Sequence, residues 1–129
     1  MKIKIGLDIH GVINTNPNFF VSLAKLIRDE GGEVHIVTGT PFSEAEDELL
    51  SYNNGEKWWD YFFSIDDELF EKKVPHVIDK RGGRYYNDLE WNRAKGVYCS
   101  KNKIDIHIDD SERYKEFFTT PYLCVKDNI

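Results

Sequence analysis

Cysteine, basic charge and long apolar runs are all scarce in this chain of 129 residues. The two cysteines, Cys99 and Cys124, show no Cys-x-x-Cys spacing. Cys99 reads as helical and Cys124 as part of an apolar strand, so both are expected to be buried, reduced thiols. No stretch approaches the roughly 18 consecutive apolar residues that a membrane span requires. Lys2 and Lys4 imitate the start of a signal peptide, but Asp8 and His10 interrupt the apolar run before such a sequence would end. The expectation is a cytoplasmic protein with no membrane partner. Lysine and arginine number 17 against 23 acids, for a net charge of −6. That balance disfavours nucleic acid, whose binding rests on basic excess, without excluding it. A metal cation, in contrast, is drawn to such a field. The one basic run, Lys80-Arg81-Gly82-Gly83-Arg84, reads as a solvated turn or a contact to a substrate phosphate.

What is present suits one compact domain over residues 1–129. Hydrophobic residues make up 40% and aromatics 14%, enough to fill a core. Repeats, low-complexity stretches and linkers are lacking. The periodicity alternates between strand and helix. Lys2 to Leu7 reads as a buried strand that delivers Asp8 at its carboxyl end. Phe19 to Asp29 follows helical spacing, with Phe20, Leu23, Ala24 and Ile27 on one face, and Gly31-Gly32 ends it. Val34 to Val37 is a second strand, ending at Thr38-Gly39-Thr40. Pro41 and Ser43 open another helix, with acids near its positive end and a stop at Asn53-Asn54-Gly55. Tyr61 to Ile65 is a third strand and Glu68 to Lys73 a short helical turn, while residues 74–90 carry no clear period. Trp91 to Ser100 reads as a helix, Ile104 to Ile108 as a strand, Glu112 to Phe118 as a short helix and Tyr122 to Val125 as a last strand. Such alternation implies an α/β fold, a three-layer Rossmann-like parallel sheet flanked by helices, with ligands outside the carboxyl ends of its strands.

The residues best suited to chemistry gather at those ends, or on the helix before one. They are Asp8-Ile9-His10-Gly11, Thr38-Gly39-Thr40, Lys95 and Asp109-Asp110-Ser111. Each alone is weak, but their order along an alternating chain is specific. Together they resemble the four motifs of the haloacid dehalogenase-like (HAD-like) superfamily, over essentially the whole chain. Ile5-Gly6-Leu7-Asp8-Ile9-His10-Gly11 stands where that family has an apolar strand followed by Asp-x-Asp-Gly. Ile36-Val37-Thr38-Gly39 matches the strand ending in Thr or Ser, and Ile106-His107-Ile108-Asp109-Asp110 the strand ending in acids. Lys95 has the offset of the family's helix-borne lysine, with Lys101 and Lys103 as competitors.

The resemblance implies a Mg²⁺-dependent phosphohydrolase in which Asp8 attacks phosphorus and forms an aspartyl-phosphate. It places the metal on Asp8, the backbone carbonyl of His10 and Asp109, with Asp110 as an outer or water-mediated partner. Thr38 and the Gly39 amide would bind phosphoryl oxygens, and Lys95 would offset the gathered negative charge. The departure is His10, which occupies the place of the family's second acid. An imidazole, with an ordinary pKa of about 6.5, suits proton transfer near neutrality. The alternative is a site that has lost fast turnover and binds a phosphorylated ligand or partner. His107 and Asp109 share a strand face, which leaves Zn²⁺ or Mn²⁺ as a further option, although a hydrogen-bonded core histidine is the plainer reading. His35 and His76 read as structural or surface residues.

Between Gly11 and Thr38 there is room for only one helix, so the first cap position of the family is empty. Residues 72–90 allow at most a small flap, with Trp91 and Tyr85-Tyr86 as candidates to cover the site or to pack in the core. Trp58-Trp59 reads as core or as an association surface, which makes a dimer possible. An open site suits a small or a macromolecular phosphomonoester.

Overall fold

A computed structural model describes residues 2–125. The elements follow in the order β1 (Lys4–Leu7), α1 (Pro17–Asp29), β2 (Glu33–Thr38), α2 (Phe42–Ser51), β3 (Tyr61–Ser64), α3 (Ile65–Glu71), β4 (His76–Ile78), β5 (Arg84–Tyr86), α4 (Asp88–Lys101), β6 (Ile106–Asp109) and β7 (Tyr122–Cys124). Short 3-10 turns cover Ile13–Thr15 and Glu112–Phe117. Five strands form a parallel sheet in the order β3-β2-β1-β6-β7, and β4 and β5 make a separate antiparallel hairpin. The chain winds outward from β1 to β3, then crosses back to place β6 on the other side of β1. In open α/β sheets such a reversal marks the place where ligands bind, here beyond the carboxyl ends of β1 and β6.

Alternation along the strands divides the core between the two faces of the sheet. Ile5, Leu7, Val34, Ile36 and Ile108 pack with Phe20, Val21, Ala24 and Ile27 of α1 and with Ala45 and Leu49 of α2. Val37 and Phe63 pack on the opposite face with Ile65, Leu69, Tyr86 and Cys99. Helix α1 starts where Asn16 accepts the Phe19 amide at 3.4 Å and Pro17 presets the first turn. It stops where Gly31 takes a positive φ of 84°. Its buried stripe includes Val21 and leaves Leu23 half-covered, a rotation of less than one residue from the expected face.

Several expectations need correction. Residues 76–86 form the hairpin, whose strands are three residues long and too exposed to show a buried period. The basic run lies at its turn, where Asp79 Oδ1 accepts the amides of Arg81 and Gly83 at 2.8 and 2.9 Å. Strand β6 runs from Ile106 to Asp109 and not from Ile104 to Ile108. Ile104 instead closes the end of α4, its amide bonded to the Cys99 carbonyl at 3.0 Å, while Asp109 pairs with Cys124 of β7. Cys99 is fully buried, and burial pushes its thiol up to about 12. Cys124 is only half-buried, because β7 is an edge strand.

Trp58 and Trp59 are core residues and form no association surface. Their rings meet edge to face at 5.8 Å, and the Trp58 indole donates to the Leu49 carbonyl at 2.8 Å. His35 is buried between the Tyr98 hydroxyl at 2.6 Å and Glu33 at 2.9 Å. His76 is exposed on the hairpin. Among the described residues, no helix is long and apolar enough to cross a membrane.

Candidate active site

Strands β1 and β6 pair with Gly6 opposite His107 and Leu7 opposite Ile108, so the next position sets Asp8 beside Asp109. The Asp8 amide donates to the Ile108 carbonyl at 3.0 Å and extends this register past the strand end. Both carboxylates emerge on the face covered by α4. That helix is started by Asn87, which accepts the Leu89 and Glu90 amides. It carries Lys95 inward until 1% of its surface remains exposed. The ammonium reaches Asp109 Oδ2 at 2.7 Å and Asp8 Oδ2 at 3.4 Å. Neither Lys101 nor Lys103 makes such a contact, so Lys95 is the lysine that the fold brings to the two carboxylates.

His107 lies one layer deeper. Its Nε2 donates to Asp109 Oδ2 at 2.9 Å, and its ring stacks on Phe118 with centroids 5.1 Å apart. The ring fits because Gly6 stands opposite. A Cβ at residue 6 would lie 2.8 Å from His107 Nδ1, closer than real contacts allow. Gly6→Ala is therefore expected to cost about 1–3 kcal/mol by overpacking. Urea unfolding at neutral pH measures this, and a variant as stable as wild type would contradict the position of the ring.

The electrostatics separate the two strand-end acids. Burial pushes the Asp109 carboxyl up, but the His107 hydrogen bond and the Lys95 ammonium outweigh it and hold it well below the usual carboxylate range. Its Oδ1 also accepts the amides of Asp110 and Ser111 at 2.9 and 3.2 Å. Asp8 is raised to about 6, chiefly by burial, with Lys95 opposing and Asp109 adding to the rise. One hydrogen bond, from the Ile9 amide at 2.9 Å, supports its Oδ1. Burial also works against the charge of Lys95, yet Asp8 and then Asp109 prevail and raise its pKa above the ordinary lysine value. His107 is lowered, first by burial, against its bond to Asp109. The site thus holds a permanent ammonium, a firmly ionised Asp109 and a weakly stabilised Asp8 anion.

Asp110 completes an acidic cluster. One carboxylate oxygen from each of Asp8, Asp109 and Asp110 lies within 4.8 Å of the others. Hard oxygen donors in that number suit Mg²⁺ or a similar cation. Asp109 already meets four donors, about the capacity of a carboxylate. A cation would therefore find the fewest competing donors at Asp8 and at the more exposed Asp110. Gly11 closes this end of the site. Its φ of 88° is one that glycine adopts without strain, and a Cβ there would collide with the Asp110 carboxylate.

The remaining sequence candidates surround this centre. Thr38 is buried at the end of β2, the neighbour of β1, and its Oγ1 accepts the Thr40 amide at 3.3 Å. Gly39 lies against the indole of Trp91, whose Cζ2 would be 2.8 Å from a Cβ at that position. The His10 ring is half exposed and turns toward α2, where its Nε2 donates to Glu48 Oε1 at 2.9 Å. Tyr52 donates to the other oxygen of Glu48 at 2.5 Å. Burial acts to raise the Glu48 carboxyl, but the Tyr52 and His10 bonds outweigh it and lower its pKa.

Two contributors went unread in the sequence. Glu48 lies 38 residues from His10 among several acids of one helix, and nothing local distinguishes it. The Tyr114 ring lies 4.6 Å from the Lys95 ammonium, a cation–π contact, and its hydroxyl accepts the Trp91 indole at 3.2 Å. The expectation for Trp91 did extend to the site, but Tyr114 carried no local signal. Comparison with known proteins found no matching family model, no matching curated protein and no matching solved structure.

Proposed function

We propose that this protein is a Mg²⁺-dependent phosphohydrolase of the HAD-like type, acting on a phosphomonoester through an aspartyl-phosphate on Asp8. The observation that carries the proposal is the buried Lys95 ammonium held between Asp8 and Asp109 at adjacent parallel strand ends. Attack by one anion on another requires positive charge fixed in advance, and Lys95 supplies it where water is excluded. Asp109 holds that ammonium in place. Asp8, the less stabilised of the two carboxylates, is the one suited to attack.

In the first step an Asp8 oxygen forms a bond to phosphorus, the bond to the leaving oxygen breaks, and that oxygen takes a proton from His10. In the second, water gives a proton to His10 and its oxygen displaces Asp8 from phosphorus, releasing phosphate. Glu48 accepts the Nε2 proton of His10, which leaves Nδ1 as the ring atom open to exchange. Thr38 and the Gly39 amide lie at the next strand end, suited to phosphoryl oxygens. Asp8, Asp110 and the His10 carbonyl would hold Mg²⁺, with the Asp109 carboxylate beside them adding negative charge, and the ion when bound neutralises phosphoryl charge.

Turnover of p-nitrophenyl phosphate by purified protein, with and without Mg²⁺, tests the reading. Metal-dependent release of nitrophenol is the expected result. The engagement of His10 by Glu48 favours one other reading, a slow site that binds a phosphorylated ligand or partner. Wild type inactive while His10→Asp gains activity would establish that reading in place of the first. Glu48→Gln should lower kcat roughly tenfold, about the worth of one charge-assisted hydrogen bond. Because the pair is largely exposed, stability should change by less than about 1 kcal/mol. Unchanged kcat would remove Glu48 from the account.

A further inference from the structure

Beyond Trp91 lies a cleft of about 220 Å³, lined by Arg84, Tyr85, Tyr86, Asp88, Trp91 and Arg113. It is joined to the reacting centre by two side chains. Trp91 lies against Gly39 with one edge and donates through its indole to Tyr114, whose ring lies over Lys95. The hairpin strand β5 and the 3-10 turn after Asp109-Asp110 supply the walls, so both sides are set by elements that also define the site.

The chemistry of the walls is uneven. Tyr85 is exposed, Trp91 is partly so, and Tyr86 stacks behind Trp91 with centroids 6.2 Å apart. Arg84 is already committed, paired with Asp66 at 2.7 Å and resting on the Phe70 ring. Asp88 is engaged by the Tyr85 hydroxyl at 3.0 Å. Arg113 differs. Its Nε donates to Asn92 at 3.0 Å and its guanidinium lies 5.3 Å from the Tyr114 ring, but among the described residues no carboxylate pairs with it, in a chain whose net charge is −6. Aromatic faces beside a guanidinium that lacks a carboxylate partner suit a flat ring that carries an anion.

We propose that this cleft receives the leaving group of the substrate, an aryl or heteroaryl group bearing a second anionic substituent, stacked on Tyr85 and Trp91 and paired with Arg113. The assignment rests on the phosphohydrolase reading for the identity of the other half of the substrate. The volume of the cleft, about 220 Å³, admits one small ring system.

The test uses 3-hydroxybenzoate, a flat anion that contains no phosphorus, with phenol and 3-hydroxycyclohexanecarboxylate as controls lacking the charge or the flat ring. Binding is followed on the indole N–H signals of the three tryptophans by NMR, in wild type and in Arg113→Gln. The expected result is a shift of the Trp91 signal by 3-hydroxybenzoate, weakened roughly tenfold in Arg113→Gln, with both controls binding more weakly. Arg113→Lys, which keeps the charge but not the planar fork, should fall between them. Equal affinity in wild type and Arg113→Gln, or a response without Trp91, overturns the proposal. Turnover of 3-carboxyphenyl and phenyl phosphates separates the two readings. Probe binding at Trp91 without hydrolysis of either ester sinks the phosphohydrolase and leaves the cleft. Hydrolysis without probe binding sinks the cleft and leaves the phosphohydrolase.

Discussion

Lys95→Met should destabilise the chain by about 3–5 kcal/mol at neutral pH, the cost of stripping the partner from buried charges. Asp109 would lose a contact at 2.7 Å and Asp8 one at 3.4 Å, and both are almost fully buried. Methionine fills the space under Tyr114 but leaves two carboxylates facing each other. Lys95→Arg should not restore stability, because α4 and Tyr114 leave no room for a wider fork around a side chain this buried. Urea unfolding in the presence of chelator measures the loss. A cost below about 1 kcal/mol would mean that the ammonium is not what holds the carboxylates ionised.

Asp8→Asn should have the opposite effect on stability and a larger one on activity. Burial raises the Asp8 carboxyl from 3.8 to about 6, so the folded chain holds a proton that the unfolded chain releases. The contribution of Asp8 to the fold is therefore fully present below 3.8 and is lost as pH rises through about 6. In metal-free protein at pH 7 the ionised side chain opposes folding, and its removal should gain up to about 3 kcal/mol. That gain should shrink as the pH is lowered through about 6 toward 4. Turnover, in contrast, should fall at least about a thousandfold with the loss of the proposed nucleophile. Thermal or urea unfolding across this pH range, paired with the phosphatase assay, provides both readouts. Residual activity near that of wild type would exclude Asp8 as the attacking group. A loss of stability at pH 7 would contradict the strained anion.

These opposed effects come from positions whose placement was legible in the sequence. Asp8, Thr38 and Asp109 end strands of a parallel sheet, where alternation of strands and helices fixes both the layer and the end. Lys95 was legible from its offset before β6, although only the fold distinguishes it from Lys101 and Lys103. Contacts between elements were hidden. Glu48 was one acid among several on α2, and its bond to His10 depends on how α2 sits against the first loop. Tyr114 and Arg113 read as parts of a short helix, and the 3-10 turn that forms there follows so soon after β6 that it delivers them beside Lys95 and Trp91. The hairpin escaped notice because its strands are short, exposed and separated by a glycine-rich turn. Strand β5 of that hairpin supplies a wall of the aromatic cleft.

His107 illustrates a reading that was right in kind and incomplete in consequence. It is a hydrogen-bonded core histidine, but its partner is Asp109, so it helps to hold the acid that holds Lys95. The chain His107–Asp109–Lys95–Asp8 thus runs from the sheet interior to the Asp8 carboxylate at the strand end. Each bond in it keeps the next group charged and fixed.

A crystal soaked with Mg²⁺ and beryllofluoride, a mimic of the phosphoryl group, tests the central claim most directly. The account predicts beryllofluoride bonded to an Asp8 carboxylate oxygen, with its fluorines near Lys95 and the Thr38-Gly39 turn. Mg²⁺ is expected beside it, held by Asp8, the His10 carbonyl and Asp110. Beryllofluoride or metal bound elsewhere, with Asp8 and Lys95 left in their present contact, would contradict it.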